Sequence, residues 1–320
     1  METYEENTII ANEESSKWLI ILKRYLKELV QIDKLIIRLI FVTACVLITY
    51  FVYTFMIWNV YYSFTDWTGL KLSQNFVGFA NYLRMFSDPV FWESFRNTLI
   101  FMVVFIPLSL VTGLILAILI YQKVRVEGAF RVIYLLPYAL SFVVTAFLWK
   151  WMFVNDGVIN TLLDLTGFGF LKNDWINDPH IALYSVSFAL IWQFSGYIMI
   201  IFLAAMRSVP ESHIMAAQAD GASGFKLYTR VILPQIKTST FTAFVILMVF
   251  ALKAFDFIWI LTNEGGPGYA TTILPIMMYR TAFKSNQFAY SAAIATTLLV
   301  FVLCIVIPYL YITYRKREKN

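Results

Sequence analysis

The sequence predicts an all-α integral membrane protein with six transmembrane helices, and three observations lead to that fold class. Of the 320 residues, 60% are hydrophobic and only 14% are charged, whereas soluble globular domains contain about 25% charged residues. Six apolar runs of about 20 residues are each long enough to cross a hydrocarbon core of roughly 30 Å. The runs are continuous and not alternating, which is typical of helices and not of barrel strands.

The distribution of basic residues predicts the orientation of the spans. An even number of spans places both termini on one side, and 17 of the 25 Lys and Arg residues lie on that side, against 6 on the other. Because cytoplasmic loops carry the excess of Lys and Arg, both termini and the loop at 206–237 are predicted to be cytoplasmic. The same topology accounts for the net charge of +5, so nucleic acid is not expected as a partner. The predicted spans are 38–60, 98–120, 132–153, 181–205, 238–262 and 288–312.

The segments before and after the spans are predicted to be cytoplasmic tails, at 1–37 and 313–320. The first apolar run is too long for the core of a signal peptide, so we expect an uncleaved span. Apolar residues recur at helical spacing over 15–34, with basic residues between them. This pattern predicts an amphipathic helix on the inner leaflet, and a helix packed on the body of the protein explains it equally well.

A polar insert rich in small residues follows the fourth span, at 210–222, and continues to Leu233 and Pro234. In a chain that is otherwise mostly apolar, this insert predicts a cytoplasmic hairpin of two short helices. Gly221 would lie between the two helices, because glycine adopts positive φ at little cost. Pro234 is expected to end the second helix. A hairpin with a defined shape on this face indicates a surface that binds a partner.

Motifs for catalysis are absent from the sequence. No Gly-x-x-x-x-Gly-Lys-Ser/Thr phosphate loop is present, so we expect no ATP binding of the P-loop type in this chain. His180 and His213 are predicted on opposite sides of the membrane and therefore cannot share a metal ion. We expect no enzymatic activity, no bound cofactor and no catalytic or metal-binding residue.

Outside the membrane, the loops at 61–97 and 154–180 are long and combine polar with aromatic residues. Such loops are typical of short interfacial helices, and a docking surface for an external protein is the alternative. The third outer loop, at 263–268, contains three glycines and a proline and predicts a tight turn.

Polar side chains at membrane depth are costly in lipid, so they are expected to face a partner helix or a wet cavity. On the fifth span, Lys253 and Asp256 lie three residues apart and are expected to be close enough to pair. Gly196 on the fourth span allows a bend or the close approach of another backbone. Aromatic faces beside amide and hydroxyl groups suit a sugar, while packing between helices is the alternative role. The candidates for a solute path are Trp192, Gln193, Tyr197, Lys253, Asp256 and Tyr290.

The hairpin resembles the EAA loop of permease subunits of binding-protein-dependent ABC importers. That family's pattern is Glu-Ala-Ala, three residues, Gly, and about nine residues later Ile-x-Leu-Pro. Here Ala216 and Ala217 are followed by Gly221 and then by Ile-Leu-Pro at 232–234, with no residue between Ile and Leu. Met215 stands where the family has its glutamate. This change removes the carboxylate for a salt bridge but keeps the turn and the small residues.

Further motifs resemble the carbohydrate-uptake branch of that family, which includes the maltose, raffinose and glycerol-phosphate permeases. They lie at 63–67, 76–82, 97–98, 255–256, 265–267, 270–271, 279–280 and 282–283. The resemblance implies the permease subunit of an ATP-driven importer of sugars or oligosaccharides, in a bacterial cell (inner) membrane. A polyol, a glycerophosphodiester or a peptide is the alternative cargo. An ion-coupled secondary transporter and a scaffold protein are alternatives from other classes.

The resemblance also implies partners for the chain. A second permease would complete the translocation path within the membrane lipid, and an extracytoplasmic solute-binding protein would deliver the sugar. Two ATPase subunits would bind ATP and Mg²⁺ and would receive the hairpin helix at about 211–220 in a cleft. The residues implied in this coupling are Glu211, Met215, Ala216, Ala217, Asp220, Gly221, Ala222 and Pro234.

Overall fold

The computed structural model describes residues 36–69, 75–122 and 126–317 and divides the chain into two compact units, 1–59 and 60–320. The amphipathic helix predicted at 15–34 lies outside the described residues. In the first unit, the described residues belong to helix α1 (Ile36–Tyr62), which is apolar and 27 residues long. In the described part of the second unit, regular structure is helical, and a single isolated bridge joins Thr65 to Phe76.

The second unit contains short helices on its loops and long helices that form its body. Two π-helical turns occur in its described residues, at Tyr228–Ile232 and at Arg280–Lys284. The helices in chain order are α2 (Ala80–Ser87), α3 (Pro89–Tyr121), α4 (Glu127–Ala139), α5 (Phe142–Phe153), α6 (Val158–Leu165), α7 (Ala182–Arg207), α8 (Glu211–Ala219), α9 (Gly224–Gln235), α10 (Lys237–Leu252), α11 (Phe255–Leu261), α12 (Leu274–Tyr279) and α13 (Phe288–Arg317).

Four helices in the described residues are long and apolar enough to cross a membrane, namely α1, α3, α7 and α13. Two bent pairs, α4 with α5 and α9 with α10, bring the number to six if each pair forms one span. Helix α13 continues past the predicted end of its span at 312, and α3 begins well before its predicted start at 98. The early start of α3 has a local cause, because Pro89 occupies its first turn and the Asp88 side chain accepts the N–H of Val90.

The third predicted span, 132–153, is not one straight helix. Helices α4 and α5 meet at an angle of 95°. Pro137 lies in the last turn of α4, where it lacks an N–H and disfavours a regular continuation. The Ser141 side chain then accepts the N–H of Val144 and caps α5 as a new helix.

The fifth predicted span, 238–262, is also interrupted. Helix α10 ends at Leu252, and α11 begins at Phe255, with Lys253 and Ala254 in a turn between them. The predicted pairing of Lys253 with Asp256 is wrong, because none of the ion pairs among the described residues joins them and both side chains are exposed. The break removes the three-residue helical spacing on which the pairing depended.

Helix α7 lies at the centre of the second unit and packs against α3, α4 and α10. Two glycines permit the closest of these approaches. A Cβ atom built on Gly196 would lie 1.7 Å from the carbonyl oxygen of Tyr134 in α4, and one on Gly113 of α3 would lie 2.6 Å from the side chain of Ile198. The prediction that Gly196 allows close approach of another backbone is therefore confirmed.

Candidate functional site

The predicted hairpin is present as α8 and α9, and α8 ends in a Schellman motif. Gly221 has φ of +80°, as predicted. The N–H of Gly221 bonds to the carbonyl of Gln218 at 3.0 Å, and that of Ala222 bonds to the carbonyl of Ala217 at 2.9 Å. This pair of bonds satisfies the last carbonyls of the helix and fixes the direction in which the chain leaves it.

The second helix of the hairpin ends close to the position predicted from Pro234. Helix α9 extends one residue further, to Gln235, and α10 begins at Lys237 at an angle of 73°. In a regular helix the proline ring would clash with the carbonyl four residues earlier, which belongs to Arg230. Arg230 lies in the wider π-helical turn, where the regular α-helical spacing is absent.

The hairpin is fixed to the body of the protein at its base. Ile232 and Ile236 are buried in the main hydrophobic core, at 0% and 3% exposure. The His213 ring of α8 shares a hydrogen bond of 3.0 Å with the Gln235 amide oxygen of α9. These contacts join α8, α9 and the core, so the hairpin has a defined orientation.

The outer surface of the hairpin is exposed. No residue of α8 is buried, and Met215 and Phe225 are 56% and 81% exposed. Among the eight coupling candidates, Ala217 and Ala222 are half-buried and the other six are exposed. Exposed apolar side chains beside alanines on a rigid helix indicate a surface for contact with a partner.

A carboxylate that the sequence analysis did not identify lies near the base of the hairpin. Glu127, at the start of α4, forms ion pairs with Arg131 and with Arg207 at the end of α7. The spacing of Glu127 and Arg131 is a sequence signal for a helical pair, whereas the contact with Arg207 required the tertiary structure. Glu127 therefore links two helix ends on the side of the hairpin.

Three of the solute-path candidates lie together on α7. The Gln193 side chain is buried and donates to the carbonyl of Leu140, at the break between α4 and α5, over 3.2 Å. Its side-chain oxygen is buried without a recorded partner. The Tyr197 ring stacks on Tyr138 of α4 at 4.4 Å, and Trp192 is 40% exposed. Gln193 and Tyr197 thus face the bent α4–α5 pair.

The other candidates lie elsewhere. Tyr290 is buried in a second, smaller core cluster, where its hydroxyl donates to Asp88 at 2.7 Å and the Arg84 guanidinium lies over its ring at 4.3 Å. Lys253 is exposed in the break between α10 and α11, and Asp256 is exposed in the first turn of α11. The six candidates therefore do not share one packed environment.

The motif residues at 97–98 hold the loop that contains the predicted tight turn. Asn97 is buried, and its amide donates to the carbonyls of Tyr269 at 2.9 Å and Thr272 at 3.2 Å. The turn itself has positive φ at four consecutive residues, 263–266. Lys150 of α5 donates to the Asn263 side chain at 2.6 Å, so the loop is held from two helices.

We expect Thr98→Val to lower the stability of the subunit by about 1–3 kcal/mol. The Thr98 hydroxyl is buried and accepts the backbone N–H of Leu274 at 3.0 Å, and valine leaves that N–H without its partner. Thermal unfolding of the purified protein measures the effect. Thr98→Ser retains the hydroxyl and is the control, and equal stability of the Val and Ser variants would contradict the assignment.

The described residues contain no group of three or more His, Cys, Asp or Glu residues that could hold a metal ion. What the geometry provides is an exposed rigid hairpin, a bent pair of apolar helices and buried polar groups on α7. The hairpin suits contact with a partner protein on one face, and the polar groups between the helices suit a path for a solute.

Comparison with known proteins gives a family and several relatives. Residues 109–318 match the family described as "Binding-protein-dependent transport system inner membrane component". A probable ABC transporter permease protein of Pyrococcus horikoshii is 54% identical over 284 residues, which covers 88% of this chain and 97% of the relative. The xylose/arabinose import permease protein XacH of Haloferax volcanii is 45% identical over 261 residues, which covers 81% of this chain and 82% of the relative.

Among solved structures, the chain is similar to a bacterial ABC transporter involved in the import of the acidic polysaccharide alginate. The TM-score is 0.74 at 23% sequence identity, covering 87% of this chain and 95% of that chain. At this identity, the likeness shows a shared fold.

Proposed function

The chain belongs to the family of binding-protein-dependent transport system inner membrane components, and from this premise we propose that it imports sugars or oligosaccharides as the permease subunit of an ATP-driven transporter. The family makes it a multi-pass cell-membrane protein and a transport component. The sugar cargo is supported by the relative that imports xylose and arabinose, at 45% identity. It is also supported by the aromatic and amide groups of α7, whose chemistry suits a sugar.

The proposed topology has six spans with both termini in the cytoplasm. In the described residues, four long apolar helices and the bent pair α4–α5 are available for five of the spans, and α10 with α11 covers the predicted fifth span at 238–262. The bias of 17 basic residues against 6 supports the orientation. In this topology α8 and α9 lie in the cytoplasm, while α2, α6 and the loop at 263–268 face outward.

Coupling to the ATPase is proposed to run through α8, and one observation carries this proposal. No residue of this helix is buried, yet a Schellman turn and the His213–Gln235 hydrogen bond fix its orientation relative to α9. A fixed helix transmits displacement to the core through Ile232 and Ile236. The coupling surface comprises Glu211, Met215, Ala216, Ala217, Asp220, Gly221, Ala222 and Pro234.

The proposed assembly contains a second permease subunit, two ATPase subunits and an extracytoplasmic solute-binding protein. ATP and Mg²⁺ bind to the ATPase subunits, so the free energy for transport enters from outside this chain. The chain converts motion of the ATPase dimer into a change between two states of access. Its own contribution to the solute path is proposed to be Trp192, Gln193 and Tyr197, near the α4–α5 bend.

Uptake into proteoliposomes containing the complete transporter and its solute-binding protein tests the proposed function. We expect uptake of a labelled sugar to require ATP, to stop with vanadate and to continue when an ionophore removes ion gradients. Uptake that stops with the ionophore but not with vanadate would identify an ion-coupled transporter. Competition by pentoses, oligosaccharides, polyols and peptides would then separate the cargo classes.

We expect Met215→Glu to preserve assembly and to keep uptake within about twofold, because a side chain that is 56% exposed can become charged without a large desolvation cost. Ala216→Glu is the matched control on the same exposed helix. At residue 216 the longer glutamate side chain would widen the part of α8 that is proposed to enter the ATPase cleft, so uptake should fall. A folded Met215→Glu subunit that no longer binds the ATPase would show that the cleft rejects the family's carboxylate.

A further inference from the structure

Helix α2 and the residues before it present a row of large apolar side chains to the exterior. Phe76, Phe79, Leu83 and Phe86 are 71%, 66%, 69% and 51% exposed. Leu83 and Phe86 lie three residues apart on α2, and Phe79, at its N-cap, lies four residues before Leu83, so these three side chains lie along one side of the helix. Phe76 precedes the helix, in the bridge to Thr65. An exposed apolar surface of this kind marks contact with a protein or a membrane.

The opposite side of α2 is held firmly against the second unit. Met85 is fully buried, and the Asn81 amide donates to the carbonyls of Ser63 and Thr65 at 2.9 and 2.8 Å. The Arg84 guanidinium donates to the Gln287 side chain at 2.8 Å. The direction of the apolar row is therefore fixed by the fold.

The apolar row continues onto the exposed side of α3. The Trp92 indole N–H donates to the carbonyl of Phe86 at 2.8 Å, and Trp92 and Val103 are 50% and 69% exposed. Helix α3 contains 33 residues, which is more than the roughly 20 residues needed to cross the hydrocarbon core. The first turns of α3 therefore reach the headgroup region, and α2 lies beside them.

We propose that α2 is a membrane-surface helix whose apolar row, Phe76, Phe79, Leu83 and Phe86, is inserted into the outer leaflet. Its single charged residue, Arg84, is turned toward the protein and leaves the row without charge. A protein interface needs hydrogen-bonding groups around its apolar centre, whereas lipid requires none. The assignment to the outer leaflet rests on the proposed topology, but the contact with lipid does not.

This arrangement fixes the height of the outer loops relative to the membrane. Trp67 stacks on Phe288 at 4.7 Å and its carbonyl accepts the N–H of Ala289, so the loop that carries α2 also contacts the start of α13. Insertion of the row positions this loop and the first turn of α13 against the lipid surface. A solute-binding protein would then meet the remaining outer loops.

Fluorescence quenching in nanodiscs of phosphatidylcholine and phosphatidylglycerol tests the proposal with the complete transporter. Cys45 and Cys304, which are free thiols, are replaced by Ser, and an environment-sensitive dye is attached through Leu83→Cys or, as control, Ser285→Cys on an exposed outer turn. A surface helix lies roughly 5–10 Å deep. We therefore expect the Leu83 dye to be quenched more strongly by a nitroxide at lipid carbon 5 than by one at carbon 12. We also expect the carbon-5 nitroxide to quench the Leu83 dye at least about threefold more than it quenches the Ser285 dye.

The competing outcome is a protein docking site. It would appear as a Leu83 dye that lipid nitroxides do not quench and that is shielded only after the solute-binding protein is added. A second measurement avoids substitutions: a photoactivatable phospholipid should label peptides containing residues 76–86 in the unmodified transporter. Absence of that labelling would overturn the proposal. The proposed function would still stand, because ATP-dependent sugar uptake tests it separately.

Discussion

Replacing Gly196 with Ala is expected to prevent most of the subunit from reaching its folded state. The added Cβ would lie 1.7 Å from the carbonyl oxygen and 2.4 Å from the carbonyl carbon of Tyr134. Both are backbone atoms of α4, so no side-chain rotation relieves the overlap, and α4 and α7 must separate. Overpacking in a core typically costs 1–3 kcal/mol, and a clash with backbone belongs at or above the top of that range.

The separation would also break contacts that depend on the close approach. The Tyr138–Tyr197 stack and the hydrogen bond from Gln193 to the Leu140 carbonyl both join α7 to the α4–α5 bend. Since proteins are stable by only about 5–15 kcal/mol, the combined loss should lower the yield of monodisperse subunit at least about tenfold. Size-exclusion chromatography with a fluorescent fusion measures that yield.

Gly128→Ala is the matched control for Gly196→Ala. Gly128 also belongs to α4, but a Cβ there meets no heavy atom within 4 Å. Alanine at such a position should leave the yield unchanged or raise stability by about 0.4–1 kcal/mol. Equal yields for Gly196→Ala and Gly128→Ala would show that α4 and α7 pack less closely than described here.

Replacing Gly221 with Val is expected to uncouple ATP hydrolysis from uptake. Gly221 has φ of +80°, and a β-branched residue in that region is a strained outlier, with a penalty of roughly 1–2 kcal/mol or more. Nothing lies within 4 Å of the position of the new Cβ. The strain therefore acts on the backbone, where it opens the Schellman turn and changes the direction of α8.

The expected readout is a functional loss without a folding defect. Uptake should fall at least about tenfold, because α8 is exposed and its exact direction matters for contact with the ATPase and not for the core. The ATPase should continue to hydrolyse ATP, and the unfolding temperature of the subunit should change little. Gly221→Asn is the control, since asparagine adopts left-handed conformations readily. Normal coupling in Gly221→Val would contradict the role of the turn.

The sequence predicted the elements that depend on local pattern. Four of the six apolar runs lie in single long helices, and the runs at 132–153 and 238–262 are each divided between two helices. Continuous hydrophobicity over about 20 residues predicts a span without tertiary information. The positive φ of Gly221 followed from the short interval between two helical segments. Pro137 is a local signal for the bend between α4 and α5, whereas continuous hydrophobicity alone predicts one span over 132–153.

Other features could not be predicted from one sequence. The break at Lys253 and Ala254 contains neither Gly nor Pro, so only the tertiary structure reveals it. Tyr290 meets Asp88, which lies 202 positions earlier in the chain, and no local pattern indicates that contact. The relative positions of Trp192, Gln193 and Tyr197 are predictable from sequence, because all three lie on a single helix.

The bend between α9 and α10 gives the hairpin a mechanical property. The two helices meet at 73° across a single buried residue, Ile236. At such a junction, displacement of one helix along its axis becomes rotation of the other helix about the buried residue between them. Displacement of α9 by the proposed ATPase would thus rotate α10, in the fifth predicted span. The size and packing of the side chain at Ile236 would determine how much of that displacement reaches α10.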